Sequence, residues 1–345
     1  MGVLLTDIAD ALDVSTATVS LALNGSGSVN AETRKQVTEM AEKLGYIPNT
    51  IARGLVRKKS GLLGLIIPDI ENVYYSKLVK YIDNFSRQAG YRLFISISDN
   101  NPDVERETVS AMIANRVEGV VVVPVNVPNH TTDCFRLFRT NEIPFVFSTS
   151  LYLGIDAPFV MCDLEDGMYQ LTRYLSGKNR YRHFALFTGP DDVSSLQPRE
   201  RGFIRALGEE TGASYEIIRM ESVDYHDACD AAEEHLRSGR HADVIMCVND
   251  IMAIGVINIL ARNGFSVPDD IVVTGFDDSL FATISVVTLT TVLQDIKEIA
   301  RHSIEMLLKS IRKEELERKE VFIPVRVIKR TSTEGLTDAT LARVK

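Results

Sequence analysis

Apolar positions change their spacing along this chain, and the change divides it in two. From Ile8 to Leu44 they recur at three- and four-residue intervals: Ile8, Ala9 and Leu12, then Val14, Val19 and Leu23, then Val37, Met40, Ala41 and Leu44. That is the period of helices with one buried face. The first two helices meet at Asp13, a residue type that tolerates the left-handed conformation of a tight turn, though less well than glycine. Ser15 or Thr16 can cap the second helix by accepting from its free amides. Ala9 is small where the helices must cross closely. After a GSGSVN loop, Asn30 caps a third helix, AETRKQVTEMAEKL, and Gly45 ends it. The first pair reads as a helix-turn-helix, whose second helix enters a DNA major groove. Any surface helical hairpin shares the same periodicity.

From Leu62 onward, near-continuous apolar runs alternate with amphipathic stretches. LLGLIIP, RLFISIS, GVVVVPV, PFVFSTS, HFALFTG, DVIMCVN and IVVTGFD are such runs. The alternation predicts parallel sheets covered on both faces. It breaks near Leu151–Asp166, which suggests two doubly wound subdomains. EGVVVVPVN ends in Asn126 and ADVIMCVND in Asn249 and Asp250. Ligands of such sheets bind outside the carboxyl ends of strands, so two facing sheets would form a cleft with polar strand ends on both walls. Between the two regions, Pro48 biases Ile47 away from helix. Thr50–Arg57 has room for two helical turns, too short to be stable alone and weakened by Gly54. This linker is expected to order only when something packs on it.

Charge narrows the picture. The chain has 345 residues and a net charge of −9, enough for two or three domains. Residues 1–60 carry seven Lys/Arg and six Asp/Glu, so the remainder holds the whole negative excess. Only the N-terminal piece suits phosphates, and its positive charge gathers at Arg53–Lys59. The cysteines (Cys134, Cys162, Cys229 and Cys247) form no C-x-x-C pair, which points to neither zinc nor a disulfide framework. There is no signal-peptide pattern and no apolar run of membrane length, so a reduced, cytoplasmic compartment is expected. No H-x-x-x-H, G-x-S-x-G or Walker loop occurs, so catalysis, a metal and a cofactor are not expected.

The stretches DIADALDVSTATVSLALNG, GYIPNTIARGL, IPDIENVYY, CVNDIMAIG and VPDDIVVTGFDD, in that order, resemble the LacI/GalR family of bacterial transcriptional repressors. The resemblance covers almost the whole chain. It implies a three-helix headpiece at 1–47, a hinge at 48–60 and a core at 61–345 built like a type I periplasmic binding protein. The core's N-subdomain is expected at about 61–163 plus 293–322, and its C-subdomain at about 164–292 plus 323–331. It further implies a homodimer on a pseudo-palindromic operator, away from membranes. A small effector, a sugar or sugar derivative, is expected to occupy the core cleft and alter DNA affinity. The tail after Arg330 has no heptad leucines, so dimers rather than tetramers are expected.

Residue by residue, Thr16, Ala17 and Leu21 match positions that read base edges in the family. None can make the bidentate arginine–guanine contact, whereas their methyls suit thymine, with a larger share of readout left to DNA shape. Leu21 has an alternative role packing on the third helix. Ser15, Thr18, Ser20 and Asn24 match phosphate contacts, which set register; Tyr46 and Asn49 are further DNA candidates. Asp13 replaces the glycine usual in this turn. Leu55 matches a leucine wedged into the minor groove, flanked by Ala52 and Arg53. In the core, Asn126, Arg199, Asn249 and Asp277 match effector contacts, their amide, guanidinium and carboxylate groups suiting adjacent hydroxyls. Tyr74 and Tyr75 offer a stacking face, and Thr149 stands where some relatives carry an aspartate. Asp277 and Asp278 also read as helix caps, and Arg199 as a solvated helix residue.

Overall fold

Three helices, α1 (Leu5–Leu12), α2 (Thr16–Leu23) and α3 (Ala31–Leu44), form the N-terminal unit. The computed structural model describes residues 3–23, 28–46, 60–128, 131–177, 181–240 and 242–334, and the chain divides into units 1–60 and 61–345. α1 ends at Asp13, whose φ of 54° and ψ of 44° are left-handed. That reversal lets Ser15 cap α2, its Oγ accepting from the Thr18 amide at 3.0 Å. Asn30 accepts from the Thr33 amide at 2.8 Å to open α3, and left-handed Gly45 closes it. Ile8, Ala9, Val19, Ala22, Val37 and Ala41 make the small core. Leu44 departs from expectation and is 36% exposed. Val37 and Ala41 already supply the buried stripe of α3, and Tyr46, beyond the Gly45 reversal, packs on the cluster instead.

The second unit begins with β1 (Leu62–Ile67), α4 (Val73–Gln88), β2 (Arg92–Ile97), α5 (Pro102–Ala114), β3 (Val120–Val122), α6 (Arg136–Thr140), β4 (Phe145–Ser148) and β5 (Phe159–Cys162). It continues with α7 (Leu164–Ser176), β6 (His183–Thr188), α8 (Gln197–Gly208), β7 (Ser214–Arg219), α9 (Tyr225–Arg237), β8 (Val244–Cys247), α10 (Asp250–Arg262), β9 (Val272–Thr274) and α11 (Phe281–Ile284). Then come β10 (Thr291–Leu293), α12 (Ile296–Ile311), β11 (Glu320–Ile323), β12 (Arg326–Ile328) and α13 (Thr331–Glu334).

These strands build two parallel sheets, ordered β11-β5-β4-β3-β1-β2 in the first lobe and β7-β6-β8-β9 in the second. The chain passes between lobes after β5, after β10 and after β11. An antiparallel ribbon of β10 and β12 lies at these crossings. Within the break at Leu151–Asp166, the stretch after Leu151 connects β4 to β5, neighbours in one sheet, with Phe147 paired to Phe159, and the chain leaves this sheet after β5. The second sheet starts only after α7. One face of the first sheet is closed by α4 and α12, the other by an aromatic cluster of Phe135, Phe138, Phe145, Phe147 and Tyr152.

One close approach fixes where α8 lies. A Cβ on Gly202 would sit 2.2 Å from the Glu165 carbonyl oxygen, so only glycine lets α8 touch the α7 backbone. Arg201 and Arg205 then clasp the Glu165 carboxylate at 2.9 and 2.7 Å. This seating brings the first turn of α8, with Arg199, to the mouth of its sheet.

Candidate functional site

The carboxyl ends of β1, β3 and β4 face those of β8 and β9 across a cavity of about 560 Å³. All seven residues expected at an effector site line it: Tyr74, Tyr75, Asn126, Thr149, Arg199, Asn249 and Asp277. Asn100, Ser195, Asp250, Ser279, Phe281 and Gln294 line it too, and sequence reading did not single these out as ligands. For Gln294 a signal existed, since it directly follows β10, at a carboxyl strand end like Asn126.

Arg199 is 7% exposed, not the solvated helix residue that its alternative reading offered. Its Nη1 donates to the Ser195 carbonyl at 2.6 Å, its Nη2 lies 3.6 Å from the Asp277 carboxylate, and its plane covers the Phe276 ring at 4.4 Å. Nε is buried without a hydrogen-bond partner. A guanidinium desolvated this far, with an unspent donor, favours an incoming acceptor. Asp277 accepts from Gln294 Nε2 at 2.7 Å, and Gln294 accepts from the Tyr74 hydroxyl at 3.2 Å. One chain of polar contacts thus runs from α4 in the first lobe to α8 in the second, through a residue at a crossing.

Asp277 caps no helix. Its φ is 113°, and its neighbour Asp278 accepts from Arg330 at 2.6 Å. Thr149 has a φ of 67°, unusual for a β-branched residue. Such backbone costs on the order of 1–3 kcal/mol each and gathers at functional sites. Asn249 divides its amide: Oδ1 caps α10 through the Met252 amide at 2.9 Å, and Nδ2 holds the Val223 carbonyl at 2.7 Å. Its second amide hydrogen is what remains for a ligand. Asn126 donates to the Tyr75 hydroxyl at 3.1 Å. The strand end before it is fixed by Tyr152, which accepts from the Val125 amide and donates to the buried Glu105 carboxyl, each at 2.9 Å.

Burial sets the electrostatics. Desolvation raises the Asp250 carboxyl far above its usual range, and the neighbouring Asp277 charge adds to this. Asp250 nonetheless accepts from the Ser279 amide and the Thr291 hydroxyl, both at 2.6 Å. Asp277 is raised by desolvation and pulled back by Arg199. Desolvation lifts the Tyr75 hydroxyl to about 12 and the Glu105 carboxyl to about 7. The cavity therefore holds phenols and carboxyls that burial biases toward their neutral forms, beside the buried Arg199 guanidinium. That set offers both donors and acceptors to a polar molecule. Among the described residues, no group of three His, Cys, Asp or Glu is placed to hold a metal ion, and no helix is long and apolar enough to cross a membrane.

In the N-terminal unit, Ser15, Thr16, Ala17 and Leu21 are exposed along α2, while Thr18, Ser20 and Tyr46 are half-buried. Leu21 is 43% exposed and is not one of the residues of the headpiece core. Asn24, Asn49, Ala52, Arg53 and Leu55 lie outside the described residues, as does the tail from 335.

The family model described as bacterial regulatory proteins, lacI family, matches residues 4–49, and that of a periplasmic binding protein-like domain matches residues 173–333. Catabolite control protein A of Priestia megaterium is 31% identical over 335 residues, covering 96% of this chain and 100% of that protein. Its namesake in Staphylococcus epidermidis is 28% identical over 334 residues, covering 97% and 100%. Among solved structures, the Lac repressor dimer bound to operator and the anti-inducer ONPF aligns with a TM-score of 0.85 at 25% identity, covering 96% of this chain and 99% of that one. With a capped helix-turn-helix in its first unit, a two-lobed cleft in its second and a relative above 30% identity matched along its full length, this chain belongs to the lacI family of bacterial regulatory proteins.

Proposed function

We propose that the protein is a transcriptional repressor, not an enzyme, working in the cytoplasm as a homodimer on a pseudo-palindromic operator. Its operator affinity is set by a small effector, a carbohydrate or carbohydrate derivative, in the core cleft. The observation that carries this is the Arg199–Asp277–Gln294–Tyr74 chain, which links both lobes around a cavity of about 560 Å³, a volume ordinary for a small-molecule site. Adjacent ring hydroxyls each donate and accept. Asp277 offers acceptors, Arg199 Nε and the second Asn249 amide hydrogen offer donors, and Tyr75 offers a ring face. The Lac repressor to which this chain is similar was solved bound to operator and to an anti-inducer, which supports a regulator that takes both DNA and a small molecule.

In this reading the effector makes contacts to both lobes that differ between open and closed clefts, and only such a difference shifts an equilibrium. The shift reaches DNA through residues 48–60. There Leu55 is assigned as a minor-groove wedge, with Ala52 and Arg53 beside it. Leu55→Ala should then weaken specific binding far more than nonspecific binding. By linkage, DNA changes effector affinity by the same factor that effector changes DNA affinity. The test is a gel shift with pooled genomic fragments, run against a metabolite panel. Some fragments should be retained selectively, and at least one sugar should alter retention. Arg199→Ala should keep the operator and lose the sugar response. A variant that responds like wild type would remove Arg199 from the site.

A further inference from the structure

We propose that α2 reads its operator through the 5-methyl groups of thymine rather than through hydrogen bonds to base edges. The inference rests on the regulator reading above and adds what the DNA must present. The exposed face of α2 is Thr16, Ala17 and Leu21. The helix, TATVSLAL, carries no amide, guanidinium, ammonium or carboxylate side chain. The hydroxyls at its start are tied to each other: Oγ of Ser15, the residue before the helix, accepts from the Thr18 amide, and the Ser15 and Thr18 hydroxyls bond each other at 2.8 Å. That pair keeps one proton for a phosphate, not a fork for a base.

Leu21 is the informative residue. It lies two positions from buried Val19 and beside buried Ala22, yet it is 43% exposed and outside the headpiece core. Packing within the unit does not account for it. In the major groove, guanine, adenine and cytosine present donors and acceptors that an apolar side chain would leave unpaired, which is unfavourable. Thymine alone adds an apolar methyl. A leucine flanked by an alanine and a threonine methyl fits that surface and discriminates against the other bases. Burying one methyl is worth about fourfold in affinity.

The experiment uses the full chain. A duplex is selected from a random library, and its thymines are replaced one at a time by deoxyuridine, which keeps every hydrogen-bonding edge and removes only the methyl. Wild-type protein should bind about fourfold more weakly at each contacted thymine. Leu21→Ala, a change at an exposed side chain, should bind the two forms equally at one thymine per half-site. An undiminished affinity for the fully substituted duplex overturns the proposal. So does a methyl effect that persists unchanged in Leu21→Ala, because it then reports duplex shape rather than contact. Selection that enriches no sequence overturns the regulator reading and this inference with it. Enrichment without a methyl effect overturns this inference alone.

Discussion

The hydroxyl of Ser195 donates to the side-chain carbonyl of Asn126 at 3.2 Å, and that bond spans the cleft. Its neighbour Ser194 donates to the Leu151 carbonyl at 2.6 Å, again from the second lobe to the first. Both acceptors lie on loops after first-lobe strands, so protein–protein contacts latch the lobes along one rim. A neutral hydrogen bond contributes about 1 kcal/mol, enough to bias an open–closed equilibrium without locking it. Ser195→Ala should therefore raise amide hydrogen exchange in the loop before α8 while leaving the melting of each lobe within about 0.5 kcal/mol. Unchanged exchange there would mean that the latch carries no weight.

Asp250 and Asp277 make the core sensitive to pH. Burial, the leading cause, raises their carboxyls to about 8 and about 6, whereas an unfolded aspartate ionises near pH 4. Between those limits the folded core keeps protons that the unfolded chain has released. The benefit is fully present below about pH 4 and is lost as pH rises through the folded values. Asp250→Asn removes much of this slope. Its carbonyl can accept from the Ser279 amide and its NH2 can donate to the Thr291 hydroxyl. Melting temperature between about pH 5 and 8 should fall less steeply in the variant than in wild type. Parallel curves would refute the assignment.

Gly202→Ala tests how α8 is seated. The new methyl meets the Glu165 carbonyl oxygen at 2.2 Å, a backbone atom that cannot step aside. Overpacking of this kind costs about 1–3 kcal/mol. Denaturant unfolding of the variant should show a lower midpoint with little change in slope, and a midpoint equal to wild type would show that α7 and α8 can separate freely.

Asp13→Gly tests the turn of the headpiece. Asp13 holds a left-handed φ of 54° at the end of α1, where glycine has no Cβ penalty. The substitution should stabilise residues 3–46 against local opening by about 0.5–1 kcal/mol, read as slower amide exchange in α1 and α2. Faster exchange would mean that the aspartate contributes more than its backbone costs.

These cases also show which features are legible in a sequence. Asp13, Ser15, Asn30 and Gly45 could be placed because capping and left-handed turns depend on neighbours within a few residues. Asn126, Arg199, Asn249 and Asp277 were placed partly by strand ends and partly by family resemblance. Leu44 misled because periodicity carries no information about where a stripe stops. Gln294 and Asp250 went unassigned because their roles are set by partners far along the chain: Tyr74 for the first, Thr291 and Ser279 for the second. The break at Leu151–Asp166 takes in both a loop inside the first sheet and the passage out of it after β5, because irregular composition marks a break in pattern whether the next strand joins the same sheet or another.

The account rests on a headpiece that recognises sequence under the control of the cleft. The most direct measurement is the ratio of dissociation constants for a random duplex and a selected one, at one fixed salt concentration, with the full-length protein. Specific recognition predicts a ratio of about 10³ or more, narrowing or widening when a cleft-binding sugar is added. A ratio near one, with and without sugars, would contradict it.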